Sequence, residues 1–249
     1  MTGGTTKTAL ISGATRGIGL GTATLLARQG YALTLTARDS ERLDAVGIEL
    51  RAAGAADIVT VAADMADSSG IERVLAAHAQ RFDAMSALIL NAGVGTAGPL
   101  ADASMHRFDK TLSVNLRAPV QLIQGALPML RAGAATDPEH GARVIALASM
   151  AGVYAESGLA IYGAAKAALI SLIATLNAEE SPNGVTATTI APGYVDTDMS
   201  AWIHDRIPPE RMLAVNDVVE MVDALLRLSS RAVVPNIVMS RAGTDGFHA

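Results

Sequence analysis

The 249-residue chain is 50% hydrophobic and 17% charged, ample for a sizeable buried core and far from the composition of a disordered chain. Its net charge of −5 leaves no electrostatic footprint for nucleic acid. The absence of Cys removes disulfides and thiolate metal sites, in keeping with the cytoplasm.

No unbroken apolar run approaches the ~18 residues of a membrane span, so no membrane association is expected. Met1 to Lys7 lacks the regions of a signal peptide. His78, His106, His140, His204 and His248 show no ligand-like pairing, and no metal site is expected.

Thr8 to Ser12 is a β-rich run that enters a Gly-rich turn; apolar periodicity then predicts a helix from Gly17 to Gln29, with Gly30 as its stop. Tyr31 to Thr36 reads as a second strand, and Ser40 is expected to cap a helix ending before Gly54. Ile58 to Ala62 is the third strand and Asp67 to Arg81 the next helix. Ala87 to Leu90 is a fully apolar fourth strand, followed by a helical stretch from Ser104 to Arg131 and a polar loop from Gly133 to Gly141. Arg143 to Ala148, Val185 to Ile190 and Asn236 to Ser240 complete the strands. Helices are expected at Leu159 to Glu180 and, capped by Asn216, up to Ser229. Strands alternating with helices imply an α/β fold, a doubly wound parallel sheet flanked by helices on both faces. No linker divides the chain, so one domain is expected over residues 1–249.

The turn Ser12-Gly13-Ala14-Thr15-Arg16-Gly17-Ile18-Gly19 lies between the first strand and its helix, where backbone can approach a pyrophosphate and the helix N-terminus offers unpaired N–H groups. The second strand ends Thr36-Ala37-Arg38. A carboxylate there would hold a ribose 2′-OH and repel a 2′-phosphate; Ala37 supplies none. Arg38, with Arg16 closing from the other side, favours NADP over NAD, and Asp39 is the discordant residue. Asp64, past the third strand, can accept from an adenine amino group or serve a turn. Asn91-Ala92-Gly93 lets backbone pass close to a bound ring.

Tyr162 and Lys166 stand one helical turn apart, thirteen residues after Ser149. At an effective dielectric near 20, an ammonium about 5 Å from the phenol favours the phenolate by roughly 3 kcal/mol, a little over two pKa units, and burial opposes it. Such a phenol can act as a general acid/base.

Together these residues resemble the short-chain dehydrogenase/reductase family from Thr8 to about Leu228. The match rests on the Gly13/Gly17/Gly19 turn, Asp64, Asn91-Ala92-Gly93, Asn115, Ser149, Tyr162, Lys166 and Ala191-Pro192-Gly193 followed by Val195-Asp196-Thr197. The resemblance implies a Rossmann-type sheet and a tetrad of Asn115, Ser149, Tyr162 and Lys166. Ser149 would hold a carbonyl oxygen, Tyr162 deliver its proton and Lys166 also hold the nicotinamide ribose, with Asn115 in a water relay. Pro119 cannot donate to the Asn115 carbonyl four residues earlier, which leaves that oxygen free for water. The expected coenzyme contacts are Ser12, Gly13, Thr15, Arg16, Gly17, Ile18, Gly19, Arg38, Asp64, Met65, Asn91, Ala92, Gly93, Tyr162, Lys166, Pro192, Gly193, Val195 and Thr197.

Three departures from the family pattern matter. Ser12 replaces the usual Thr, the lid at about Tyr194 to Arg211 is short, and the tail Val233 to Met239 lacks the Gly-rich ending of tetrameric reductases. The expected pocket wall is Val94, Met150, Tyr154, Leu159, Tyr194, Met199 and Trp202, suited to an uncharged, moderately hydrophobic small-molecule carbonyl or alcohol. The alternatives are a 3-oxoacyl thioester reductase and a catalytically silent nucleotide-binding sensor. The helix around Leu169 to Leu176 is apolar on nearly every face, which predicts burial all round and a homodimer or homotetramer.

Overall fold

The computed structural model describes residues 6–95 and 97–247; His248 lies outside them. Seven strands, β1 (Thr8–Ser12), β2 (Ala32–Ala37), β3 (Asp57–Ala62), β4 (Ala87–Leu90), β5 (Ala142–Leu147), β6 (Val185–Pro192) and β7 (Asn236–Met239), form one parallel sheet in the order β3-β2-β1-β4-β5-β6-β7. The helices are α1 (Gly17–Arg28), α2 (Ser40–Ala52), α3 (Ser68–Arg81), α4 (Met105–Leu112), α5 (Ala118–Thr136), α6 (Ala160–Glu180) and α7 (Val215–Leu226).

The period-two alternation of a strand assigns its side chains to two cores. Ala9 and Ile11 of β1, Ala87 and Ile89 of β4, and Ile145 and Leu147 of β5 pack with Leu26, Val46 and Val222. Leu10, Leu88, Leu90, Val144 and Ala146 point the other way, against Ile71, Leu122, Leu130 and Ile173. Helices α1, α2 and α7 thus cover one face, and α3, α5 and α6 the other. The chain steps outward from β1 through β2 to β3, then returns to place β4 on the other side of β1. That reversal opens a crevice at the carboxyl ends of β1 and β4, where α/β sheets bind ligands.

Several local expectations are corrected. Asp39, not Ser40, caps α2, its carboxylate accepting from Arg42 N at 3.0 Å. Ala214, not Asn216, precedes α7, and Asp217 reaches back to accept from Ala214 N at 2.8 Å. The stretch from Ser104 is two helices joined by a π turn, Ser113–Arg117, and Pro119, which has no N–H to give the ladder, follows directly after that turn. Gly133 belongs to α5 rather than to a loop, because a Cβ there would collide with the Met85 carbonyl.

Within the single chain, helix α6 buries one face and leaves the other open. Leu169, Ile173 and Leu176 face the core, while Ala164, Ala167, Ser171 and Ala178 are exposed. With its following turn it spans Ala160–Asn183, within which an 18-residue stretch of mean hydropathy 1.4 is long and apolar enough to cross a membrane by length and composition alone, although Lys166 interrupts it. It packs against β6 and buries Lys166, Asn177 and Glu180, the mark of a helix laid on a sheet.

His78 of α3 is fully buried, its Nδ1 2.9 Å from Thr34 Oγ1, and burial pushes its pKa down to about 4. An unfolded imidazole takes its proton near pH 6.5 and the folded one only near 4, so stability falls as pH drops through that window. The expected loss is on the order of 3 kcal/mol. Urea midpoints measured from pH 7 to 4 should show this decline, and His78→Asn should remove most of it; equal slopes for the two proteins would refute the assignment.

Candidate active site

Buried backbone polar groups need partners, and on the sheet's carboxyl edge the Gly-rich turn obtains them from its neighbours. Gly13 N and Ala14 N donate to the Thr36 carbonyl, and Asn91 Nδ2 donates to the carbonyls of Ser12 at 3.1 Å and Gly13 at 2.9 Å. The Ser12 hydroxyl, expected at the coenzyme, is spent internally: it accepts from Asn91 N and Ala92 N and donates to the Ile89 carbonyl. Gly13 and Gly17 hold φ of +69° and +53°, and a Cβ on Gly19 would strike the Gly13 carbonyl. The turn ends at α1, which has no side-chain cap and no acidic residue in its first turn. Thr15 and Ile18 are partly exposed beside it.

Around this turn the other expected coenzyme residues divide. Arg38 is exposed, and Asp39 is engaged in its cap, which removes the discordance. Arg16 is not free to close on a 2′-phosphate: its Nη1 lies 3.0 Å from Asp198 Oδ2. Asp64 is exposed at the end of β3 and accepts from Ala66 N, the turn role weighed against adenine. Met65 and Val195 put their side chains in the core, leaving main chain alone for the cleft. Pro192 closes β6, Gly193 N donates to the Met239 carbonyl, and Thr197 Cγ2 would lie 3.2 Å from a Cβ on Gly17.

The tetrad residues converge beside the carboxyl end of β5. Lys166 is 4% exposed, donates from Nζ to the Leu147 carbonyl at 2.7 Å and lies 5.6 Å from the centre of the Tyr162 ring. Burial pushes its pKa down to about 8, so the amine still carries its charge at neutral pH. A Cβ on Gly93 would sit 3.6 Å from Lys166 Nζ and 3.3 Å from Asn115 Oδ1, which brings Asn115 into the group. Asn115 is held by a reciprocal pair with Val94, accepting from its N–H and donating to its carbonyl, both at 2.9 Å.

The Tyr162 pKa is raised, not lowered. Burial dominates, a hydrogen bond with Ser149 lowers it, and the Glu156 charge raises it. The two-unit fall expected from spacing is therefore overturned: proximity to Lys166 was legible, but the desolvation of the phenol was not.

Two glycines that sequence reasoning missed hold Ser149 to Tyr162. The turn Met150–Gly152 follows Ser149, whose Oγ accepts from Ala151 N. A Cβ on Gly152 would lie 2.7 Å from the Lys166 carbonyl carbon, and one on Gly163 would lie 2.5 Å from the Ala151 carbonyl oxygen. A glycine one residue past Tyr162, inside a helix it weakens, was the available signal.

The pocket wall assembles in part. Tyr194 donates to Glu156 at 2.6 Å and meets Trp202 edge-on with ring centres 6.1 Å apart; burial and that carboxylate raise the Tyr194 pKa. Met199 lies across from Gly95, while Val94 and Leu159 are half-buried. Met150 is 1% exposed, a core residue closed off beneath its turn rather than a wall. Tyr154 packs against Phe247, a residue of the tail that its distance in sequence concealed. A separate cavity of about 170 Å³ lies between the 97–103 loop, Arg107 and the residues Gly158, Ala160 and Ile161, and none of the seven expected residues lines it. Among the described residues no three His, Cys, Asp or Glu stand together as metal ligands.

Residues 7–207 match a short chain dehydrogenase family model, and the chain belongs to that family of oxidoreductases. It is 31% identical over 210 residues to the 3-oxoacyl-[acyl-carrier-protein] reductase FabG of Staphylococcus aureus, spanning 84% of this chain and 82% of that one. It is 32% identical over 206 residues to D-beta-hydroxybutyrate dehydrogenase of Rhizobium meliloti, with 82% and 76% covered. Among solved structures, a short chain dehydrogenase from Burkholderia cenocepacia in complex with NADP superposes with TM-score 0.82 at 30% identity, covering 94% and 95% of the two chains. An alcohol dehydrogenase from Thermococcus sibiricus complexed with 5-hydroxy-NADP gives 0.84 at 27%, covering 96% and 97%.

Asn115→Ala would strip Val94 of both hydrogen bonds in a half-buried loop, a loss of about 1–3 kcal/mol. The melting temperature should fall by several degrees; an unchanged value would show that the Asn115–Val94 pair does not hold the loop.

Proposed function

We propose that the chain is an NADP(H)-dependent reductase that interconverts a small, uncharged carbonyl compound and its alcohol, with Tyr162 as general acid/base. The observation that carries this reading is the convergence of Ser149, Tyr162 and a buried, charged Lys166 beside a glycine cradle. A nucleotide-binding sensor would need the cradle and has no use for a desolvated ammonium next to a phenol.

The cradle suits a dinucleotide. Gly13 and Gly19 have no room for a Cβ, and the uncapped α1 N-terminus offers N–H groups and positive dipole to a diphosphate. Thr15, Gly17 and Ile18 would hold that diphosphate with Thr197, Arg38 would face the 2′-phosphate, and Lys166 would hold the nicotinamide ribose. The Burkholderia complex with NADP supports the phosphorylated coenzyme, as do Ala37 at the end of β2 and the exposed Arg38 after it.

The bound coenzyme supplies the hydride. As negative charge builds on the substrate oxygen, Ser149 Oγ donates a hydrogen bond to it and Tyr162 gives up its proton. Lys166 holds positive charge behind the phenol, so that the phenolate left by proton transfer is formed against an ammonium rather than in an uncompensated apolar site. Asn115 fixes the Val94 segment beside them.

A second reading, a 3-oxoacyl thioester reductase, is favoured by the 31% identity to the Staphylococcus enzyme. We read residues 1–249 as one domain with a short lid from Tyr194 to Arg211, which favours small substrates over carrier-bound chains. The exposed small residues of α6 suit a second copy, as homodimer or homotetramer, and the lack of Cys suits the cytoplasm.

Coenzyme oxidation across small ketones, aldehydes and one 3-oxoacyl thioester separates the two readings: small carbonyls should be turned over best, and a preference for the thioester would favour the second. Tyr162→Phe should bind NADPH normally and lose at least about 100-fold in turnover, the contribution of a positioned acid; near-normal rates would remove Tyr162 from its role. Arg38→Ala should weaken NADPH at least severalfold and leave NADH unchanged, and an equal effect on both would refute the 2′-phosphate assignment.

A further inference from the structure

Arg16 stands at the N-terminal boundary of α1 on extended backbone, with its side chain 68% exposed. Its guanidinium is taken by Asp198, 182 residues later in the chain and itself 73% exposed, at 3.0 Å. The carboxylate is presented from a fixed base. Asp198 opens the 3-10 turn Asp198–Ile203, Ser200 Oγ accepts from Thr197 N at 3.2 Å while Ser200 N donates to the Thr197 carbonyl, and Val195 pairs with Leu213 at the root of the lid. The ion pair therefore joins the Gly-rich turn to the lid, and Thr197 makes a second contact at Gly17.

We propose that Asp198 is a specificity-determining residue that competes with the coenzyme's 2′-phosphate for Arg16 and so weakens NADPH relative to NADH. The inference rests on the coenzyme reading above. A phosphate reaching Arg16 meets a cation already neutralised, and drawing the guanidinium away leaves the Asp198 carboxylate unpaired next to a dianion. NADH makes no demand on Arg16 and leaves the pair in place. The penalty thus falls on one coenzyme and not the other, and its ceiling is the strength of an exposed ion pair.

Dissociation constants for NADPH and NADH, read from nucleotide fluorescence without substrate, test this in the unsubstituted chain, Asp198→Asn, Arg16→Ala and the double variant. Asp198→Asn should tighten NADPH roughly two- to fivefold, leave NADH unchanged, and have no effect once Arg16 is Ala. Equal tightening of both coenzymes, weaker NADPH binding, or the same gain without Arg16 would each overturn the competition. NADPH binding that depends on Arg16 but not on Asp198 overturns this inference alone. Failure of the unsubstituted chain to bind NADPH overturns the coenzyme reading and this inference with it.

Discussion

A charged amine enclosed by protein is the constraint around which the site is built. Lys166 has left water, and a buried ammonium survives only where hydrogen bonds and geometry replace part of its hydration. The Leu147 carbonyl, at the end of a fully buried strand, provides that bond, so the start of α6 is tied to the carboxyl edge of the sheet. Gly93 and Gly152 make room for the lysine and its backbone, and any side chain at Gly152 would push the Ser149 turn off the helix. The same contact that makes Lys166 expensive to bury therefore sets Ser149, Tyr162 and Lys166 in register.

Polar cross-links tie the elements around the cleft to one another. Ser12 and Asn91 bind β1 to the loop after β4 through main-chain groups, which ties together the two strands flanking the topological reversal. Asn115 extends that lattice to Val94, next to the tetrad. The Gly-rich turn and the group of Ser149, Tyr162 and Lys166 thus share one cross-linked edge, and the turn at Asp198 touches it through an exposed ion pair.

Much of this was legible in the sequence because parallel strands buried on both faces read as short apolar runs between helical periods. All seven strands lie within two residues of their expected positions. What escaped is what one-dimensional spacing cannot carry. The Tyr162-x-x-x-Lys166 spacing gave proximity, yet burial, a property of the packed chain, reversed the sign of the tyrosine's shift. Asp39 competes with Ser40 for one cap, and the winner depends on backbone geometry. Gly133 looks like a loop residue until Met85 is found against it. Arg16 looked free because its partner lies far along the chain, and Phe247 joins Tyr154 only through the path of the tail after β7.

The chain contains just three lysines, Lys7, Lys110 and Lys166, so each can be followed individually. A titration of their ε-carbon resonances by NMR tests the buried ammonium directly. The account requires the one lysine that is absent from spectra of Lys166→Met to titrate near 8. If that resonance titrated at the free value of ~10.4, the amine would be solvated and its hold on Tyr162 would be lost.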